Sequence, residues 1–284
     1  MTIVPIVTLD ERALEPYKTL RRPIEHERKG IFVAEGEKVV RKLLTSSLEV
    51  LSVLLTPEWL EEYRPILADH PGEFRVFVAS KQLVETIVGY NLHQGIMAVA
   101  KIPEFLTLPQ AIAKSKRPAF LVAVDGLTNA ENLGALVRNC AAFGVDALLV
   151  GETSSSPYLR RAVRNSIGTV FTLPVVHLDN LVEAIRDLQS THHMRVIAAH
   201  PHAERDALHE ASLSGDCCIV FGSEGDGIRE PVRRACDESV VIPMSRDVDS
   251  LNVASASAVF LYEVQRQRNL LLGDGGRQHP GDNL

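Results

Sequence analysis

The stretch AFLVAVDGLTNAENLGALVRNCAAFG, residues 119–144, decides the fold class. It opens on an unbroken apolar run, residues 119–124, crosses a polar loop from Asp125 to Ala130, and closes in a helical pattern. In that last part Leu133, Leu136, Val137, Cys140 and Ala141 recur at i, i+3, i+4, i+7 and i+8, one apolar stripe. Arg138 stands about 140° round from Leu133 at roughly 100° per residue, so it points off the stripe. A strand that is apolar without alternation is covered on both faces, and that means a parallel sheet with helical crossovers. The same unit recurs downstream. DALLVGE (146–152), RVIAAH (195–200), CCIVFGSE (217–224) and SVVIPM (239–244) read as strands, with helices over 179–192, 228–236 and 252–272. Residues 118–270 are therefore predicted to form one α/β domain.

Working towards the N-terminus, VLSVLLT (50–56), FRVFVAS (74–80) and GIMAVAKI (95–102) read as strands, and 35–44, 57–70 and 80–89 as helices. They predict a smaller α/β domain over 1–105. Residues 106–117, with Pro109, read as a linker that could hold a short helix at 108–115. The Gly-, Pro- and Asp-rich 271–284 is expected to be a disordered tail. The length of 284 residues agrees with two domains at about 150 residues each.

Composition narrows the function. Hydrophobic residues at 45% and charged residues at 23% exclude wholesale disorder. No window is apolar enough for a membrane span, and the N-terminus lacks the pattern of an export signal. The four cysteines form no CxxC pair, which fits reduced thiols in a cytoplasm. A net charge of −6 argues against nonspecific coating of nucleic acid. That charge is uneven: Tyr17–Lys42 carries eight basic residues against four acids, among them Arg21, Arg22, Arg28 and Lys29, and Arg160, Arg161 and Arg164 cluster further on. These read either as solvated helix faces or as two phosphate-contacting patches.

Ligands of parallel sheets bind beyond the carboxyl ends of the strands, and three polar, glycine-bearing loops sit there. In the loop at 222–228, Gly222, Gly225 and Gly227 would let a ligand approach the backbone, and Glu224 would accept its hydrogen-bond donors. A tight turn with a capping acid reads equally well. The spacing is not that of a dinucleotide fingerprint, and no GK[ST] completes a P-loop. Ser250 and Asn252 stand where a helix starts, so capping competes with chemistry, as it does for Asn132 in the first loop. The histidines, including His200, His202 and the pair His192-His193, lack ligand spacing, so no metal is expected. No G-x-S-x-G or cysteine–histidine setting supports hydrolase chemistry.

Taken together the loops resemble a known family. Asn132-Leu133-Gly134 through Arg138 with Phe143-Gly144-Val145-Asp146, then Phe221-Gly222-Ser223-Glu224-Gly225, then Ile242-Pro243-Met244 with Ser250-Leu251-Asn252-Val253, are similar to motifs 1, 2 and 3 of the SpoU/TrmH branch of the SPOUT RNA methyltransferases. Arg164-Asn165-Ser166-Ile167-Gly168 and Leu173-Pro174-Val175 extend the match, which covers about residues 118–265. Phe32-Val33-Ala34-Glu35-Gly36 and His93-Gln94-Gly95-Ile96 resemble the family's small N-terminal RNA-binding domain, of ribosomal-protein-L30e-like fold. The resemblance implies a C-terminal domain with a deep trefoil knot, a homodimer, and S-adenosylmethionine held around Ala199, Gly222, Ile242, Met244 and Leu251. It implies methyl transfer to a ribose 2′-hydroxyl of RNA, with Asn132, Arg138, Glu224, Ser250 and Asn252 forming the site. Arg21, Arg22, Arg28, Lys29, Arg164 and Arg246 are the residues expected to touch RNA. Arg246 stands where family members commonly have glycine. The two-domain layout favours ribosomal RNA; transfer RNA, and a catalytically silent RNA-binding or ribosome-assembly factor of the same fold, stay open as alternatives.

Overall fold

A computed structural model of the chain describes residues 1–8, 11–88, 95–201, 206–245 and 248–271. Arg246, His93, Gln94, His202 and the tail beyond residue 271 lie outside the described residues. The chain divides into two compact units. The first comprises Met1–Phe105, Asn129–Ala141 and Ser155–Leu173; the second comprises Leu106–Thr128, Ala142–Ser154 and the chain from Pro174 onward.

The first unit is built on five strands, β1 (Thr2–Pro5), β2 (Ile31–Glu35), β3 (Val50–Leu55), β4 (Arg75–Val78) and β5 (Ile96–Lys101), in the order β1-β4-β3-β5-β2. The β1–β4 and β4–β3 pairs are parallel, and β3–β5 and β5–β2 are antiparallel. Its helices are α1 (Glu15–Lys18), α2 (Pro23–Arg28), α3 (Glu37–Leu44), α4 (Pro57–Asp69) and α5 (Lys81–Val88). Leu14, Tyr17, Leu54, Phe77, Met97 and Val99 belong to its core. The buried Tyr17 hydroxyl is satisfied by Ser52 Oγ at 2.8 Å, as a phenol inside a core requires.

Residues 106–117 are not a plain spacer. They hold α6 (Leu108–Lys114), started by a Thr107–Gln110 capping box, and Leu108, Ala111 and Ile112 enter the core of the second unit. Pro109 falls in the first turn, where its missing N–H costs nothing, so the short helix read at 108–115 forms.

The second unit contains β6 (Phe120–Val124), β7 (Ala147–Val150), β8 (Val175–His177), β9 (Arg195–Ala199), β10 (Asp206–Ala207), β11 (Cys217–Phe221) and β12 (Glu238–Val241). Their order is β10-β12-β9-β11-β6-β7-β8, and every adjacent pair is parallel, as the unbroken apolar runs require. Every residue of β6 and β11 is buried. Asp146 and Asp216 accept the Phe120 and Ala119 N–H groups at 2.8 and 2.6 Å, satisfying backbone donors where β6 begins. The remaining helices are α7 (Ala130–Ala142), α8 (Arg160–Asn165), α9 (Leu181–Ser190), α10 (Glu230–Ala235) and α11 (Val253–Leu271).

Nearly all of α7, and α8, placed by sequence in the 118–270 domain, group with the first unit. α8 packs on β2, and Phe32 meets Tyr158 and Phe171 at ring centroid distances of 5.2 and 5.5 Å. A Cβ on Gly134 would lie 2.5 Å from the Ala162 carbonyl oxygen, so α7 and α8 touch backbone to backbone and only glycine fits.

Candidate active site

The carboxyl ends of β9, β11 and β12 gather polar loops in the second unit. Beyond them opens a cavity of about 280 Å3. Phe221, Val253, Ala256 and Phe260 give it apolar walls; His200, Glu224, Asp226, Asp249 and Ser250 give it polar ones. Among its described lining residues there is no Lys or Arg. Such a lining fits a ligand that offers an apolar ring face and cationic groups. All five residues assigned to the cofactor by resemblance, Ala199, Gly222, Ile242, Met244 and Leu251, line this cavity, as do Glu224 and Ser250.

The loop 222–228 folds back on itself. Ser223 N–H donates to Gly227 O at 3.0 Å, and Asp226 N–H to Ser223 Oγ at 3.1 Å. A Cβ on Gly222 would come within 2.1 Å of Gly227 C and 2.3 Å of Ile228 N. Gly222 lines the cavity and also packs directly against the chain's own backbone at residues 227–228. Gly227, at φ +68°, supplies the left-handed turn that closes the loop.

Asn252 does two things at once. Its Oδ1 accepts Ala254 N–H at 2.8 Å and caps α11, while its Nδ2 donates to Glu224 Oε1. The structure thus brings Glu224, Ser250 and Asn252 to one end of the sheet. Asn132 and Arg138 lie on α7 in the other unit, Asn132 half-buried and Arg138 exposed. Asn132 is not the N-cap of α7. Asn129 is, its Oδ1 accepting the N–H groups of Glu131 and Asn132 at 2.9 and 3.1 Å.

Of the arginines and lysines expected to touch RNA, Arg21, Arg22, Arg28 and Lys29 are exposed on or beside α2, with Arg22 3.2 Å from Glu25. The second basic cluster is partly spent within the fold. Arg160 is bound to the buried Glu35, and Arg164 reaches the same carboxylate at 3.4 Å while staying 57% exposed. Arg41 is likewise occupied, 2.8 Å from Glu37 and 3.2 Å from Glu62.

Sequence reasoning missed an ionic network where the 222–228 loop enters α10. Asp125, fully buried at the end of β6, accepts from Arg229 N–H at 2.8 Å and Arg229 Nε at 2.7 Å, and Arg229 also bonds Glu152 Oε1 at 2.6 Å. The Asp125 and Glu152 carboxylates hold the Arg229 guanidinium pKa above its ordinary value. Burial tends to raise Glu152, but hydrogen bonds from Arg229 and the backbone prevail and leave it below the usual carboxylate range. The signal was an acid directly after an unbroken apolar strand. The thiols take no part: burial pushes Cys217 up to about 11 and Cys236 to about 12.

Comparison with known proteins places this geometry. Residues 119–262 match the SpoU rRNA methylase family. An uncharacterized tRNA/rRNA methyltransferase of Mycobacterium bovis is 32% identical over 265 residues, 90% of each chain. The 23S rRNA (guanosine-2′-O-)-methyltransferase RlmB of Haemophilus influenzae is 31% identical over 239 residues, 82% of this chain and 96% of that one. Among solved structures, the AdoMet-bound rRNA methyltransferase of Sinorhizobium meliloti shares the fold at a TM-score of 0.79 and 21% identity, covering 93% of this chain and 98% of its own. The chain belongs to the SpoU rRNA methylase family.

Proposed function

We propose that the chain transfers a methyl group from S-adenosylmethionine to a ribose 2′-hydroxyl of ribosomal RNA, working in the cytoplasm as a homodimer whose second unit carries a deep trefoil knot. The observation that carries the reading is the cavity itself: apolar walls, acids but no described Lys or Arg in its lining, and the Glu224–Asn252 pair joined to it. The printed activity of the Haemophilus influenzae relative, guanosine 2′-O-methylation of 23S rRNA, supports the substrate class.

The residues around Gly222, Ile242, Met244 and Leu251, with Ala199 as a further wall, would hold the cofactor. When bound, it supplies a methyl group already activated on a cationic sulfur. What the chain must add is alignment of an in-line attack and help in removing the hydroxyl proton. Arg138 is read as a charged clamp and not as the base. Its planar fork suits the neighbouring RNA phosphate and the negative charge that develops on the attacking oxygen. Glu224 and Asn252 would then orient the arginine or the ribose, with Ser250 and Asn132 as further residues of the proposed site. Arg21, Arg22, Arg28 and Lys29 form the docking surface for RNA phosphates, with Arg164 and Arg246 as further contacts. The homodimer draws support from the apolar side chains exposed on and before α11, Val248, Leu251, Val259 and Tyr262.

Two measurements test the reading together: calorimetric binding of S-adenosylmethionine, and mass-spectrometric mapping of 2′-O-methyl groups in RNA from cells with and without the gene. The expected result is saturable binding and loss of one ribosomal 2′-O-methyl group. Absence of binding would reduce the protein to a silent RNA-binding factor. Loss of a methyl group from transfer RNA alone would overturn the substrate.

A further inference from the structure

We infer that Asp125 is a positioning residue that clamps both ends of the 222–228 loop and so sets the cavity's affinity for the cofactor. The inference rests on the function proposed above. Asp125 N–H donates to Phe221 O at 2.9 Å, the last residue before the loop. Its carboxylate accepts the backbone N–H of Arg229 at 2.8 Å, the first residue after the loop. One residue on the end of β6 therefore holds the place where the loop leaves β11 and the place where it enters α10. Arg229 Nε adds a bond to the same carboxylate at 2.7 Å, and Thr153 Oγ1 approaches it at 3.4 Å.

The outer face of the network is braced in turn. Arg229 reaches Glu152 at 2.6 Å, and the other oxygen of Glu152 accepts Leu181 N–H at 2.9 Å. Inside the loop the Ser223–Gly227 bond and the contact of Gly222 with residues 227–228 leave little slack. A shift of either anchor thus passes to the whole loop, and Gly222 through Gly227 all line the cavity. A fully buried carboxylate is costly unless its donors are all in place, and an apolar pair would serve folding as well. Its location between the two loop ends is what a positioning role predicts.

Three variants separate positioning from bulk stability. Asp125→Asn keeps size and backbone N–H but offers one acceptor oxygen for three donors, and its amide N–H faces a donor. Arg229→Lys keeps the charge and the backbone bond but cannot reach Asp125 and Glu152 together. Glu152→Gln leaves both Asp125 contacts in place. Binding of S-adenosylmethionine, binding of 23S rRNA, and hydrogen exchange of the amides of 223–228 would be measured well below the melting temperature. Asp125→Asn is expected to weaken cofactor binding about tenfold or more, as for a wall displaced by roughly 1 Å. Arg229→Lys should fall between it and Glu152→Gln, which should stay within about twofold of the parent. Exchange should rise in the same order, with RNA binding unchanged. Equal cofactor binding and equal exchange in Asp125→Asn and the parent would overturn the clamp, as would a lowered melting temperature alone. Should Asp125→Asn not fold, Arg229→Lys carries the same expectation. Failure of the parent to bind the cofactor would sink the functional reading instead, while the exchange order still decides the clamp.

Discussion

Gly222→Ala asks the most of the geometry. The new Cβ would lie 2.1 Å from Gly227 C and 2.3 Å from Gly227 O and Ile228 N, all backbone atoms that cannot rotate away. Ordinary contact begins near 3.4 Å, so the two segments must part by about 1.3 Å. They are held together by the Ser223–Gly227 bond at 3.0 Å and, one residue beyond Ile228, by the Arg229–Asp125 bond at 2.8 Å. Overpacking of this kind costs about 1–3 kcal/mol, and the strained bridge adds roughly 1 kcal/mol. Borne wholly by the cofactor-binding conformation, a sum of about 2–4 kcal/mol weakens binding roughly 30- to 900-fold. Any part borne by folding lowers the melting temperature by about 2–4 °C per kcal/mol. Titration calorimetry with S-adenosylmethionine and scanning calorimetry read the two shares. Gly225→Ala is the control, because nothing lies within 4 Å of its Cβ, and it should stay within about 0.5 kcal/mol of the parent. A Gly222→Ala protein that binds within twofold and melts within a degree of the parent would refute the reasoning.

Asn252→Asp should keep the α11 cap and the melting temperature, yet set a second carboxylate against Glu224 and cut activity. Asn252→Ala should lose about 1 kcal/mol of stability as well, and melting curves beside methyl-transfer rates distinguish them. Arg138→Lys should lower kcat by roughly 100-fold with cofactor affinity unchanged, because a lysine cannot form the fork; near-full activity would contradict it. His26, buried with Nε2 3.0 Å from Thr19 Oγ1, is held below its ordinary pKa of 6.5 by burial and then by Lys29. The unfolded chain takes up that proton first as the solution is acidified. The first unit should therefore be fully stable above pH 6.5 and lose stability as pH falls through the folded value. Urea melts between about pH 5 and 8 should show this slope in the parent and not in His26→Gln.

The sheet of the second unit was legible because its strands carry their instruction locally. An unbroken apolar run has one use in a sheet covered on both faces: β6, β7, β9 and β11 fall inside the runs read as strands, and β12 starts one residue before its run. β8 and β10, of three and two residues, are too short to show any period, and β1 lies largely exposed. α6 falls inside the short helix read at 108–115, because Pro109 stands in its first turn, where proline opens a helix and does not break it. The positive charge of Arg160 and Arg41 was legible, but its destination was not. Glu35 lies 125 residues from Arg160, and no local pattern records which acid an arginine will find.

The site divides along the same line. The three loops could be found as strand ends, yet what holds them is non-local: Asp125 and Arg229 are 104 residues apart, and Glu224 and Asn252 are 28 apart. At Asn252 one amide makes two contacts from its two ends. The oxygen satisfies an orphan N–H at the start of α11, and that bond fixes which way the nitrogen points. A helix cap here is thus the device that aims a hydrogen-bond donor at Glu224. Where a capping side chain has a second polar end, the cap fixes the direction of that end and so yields a positioned donor.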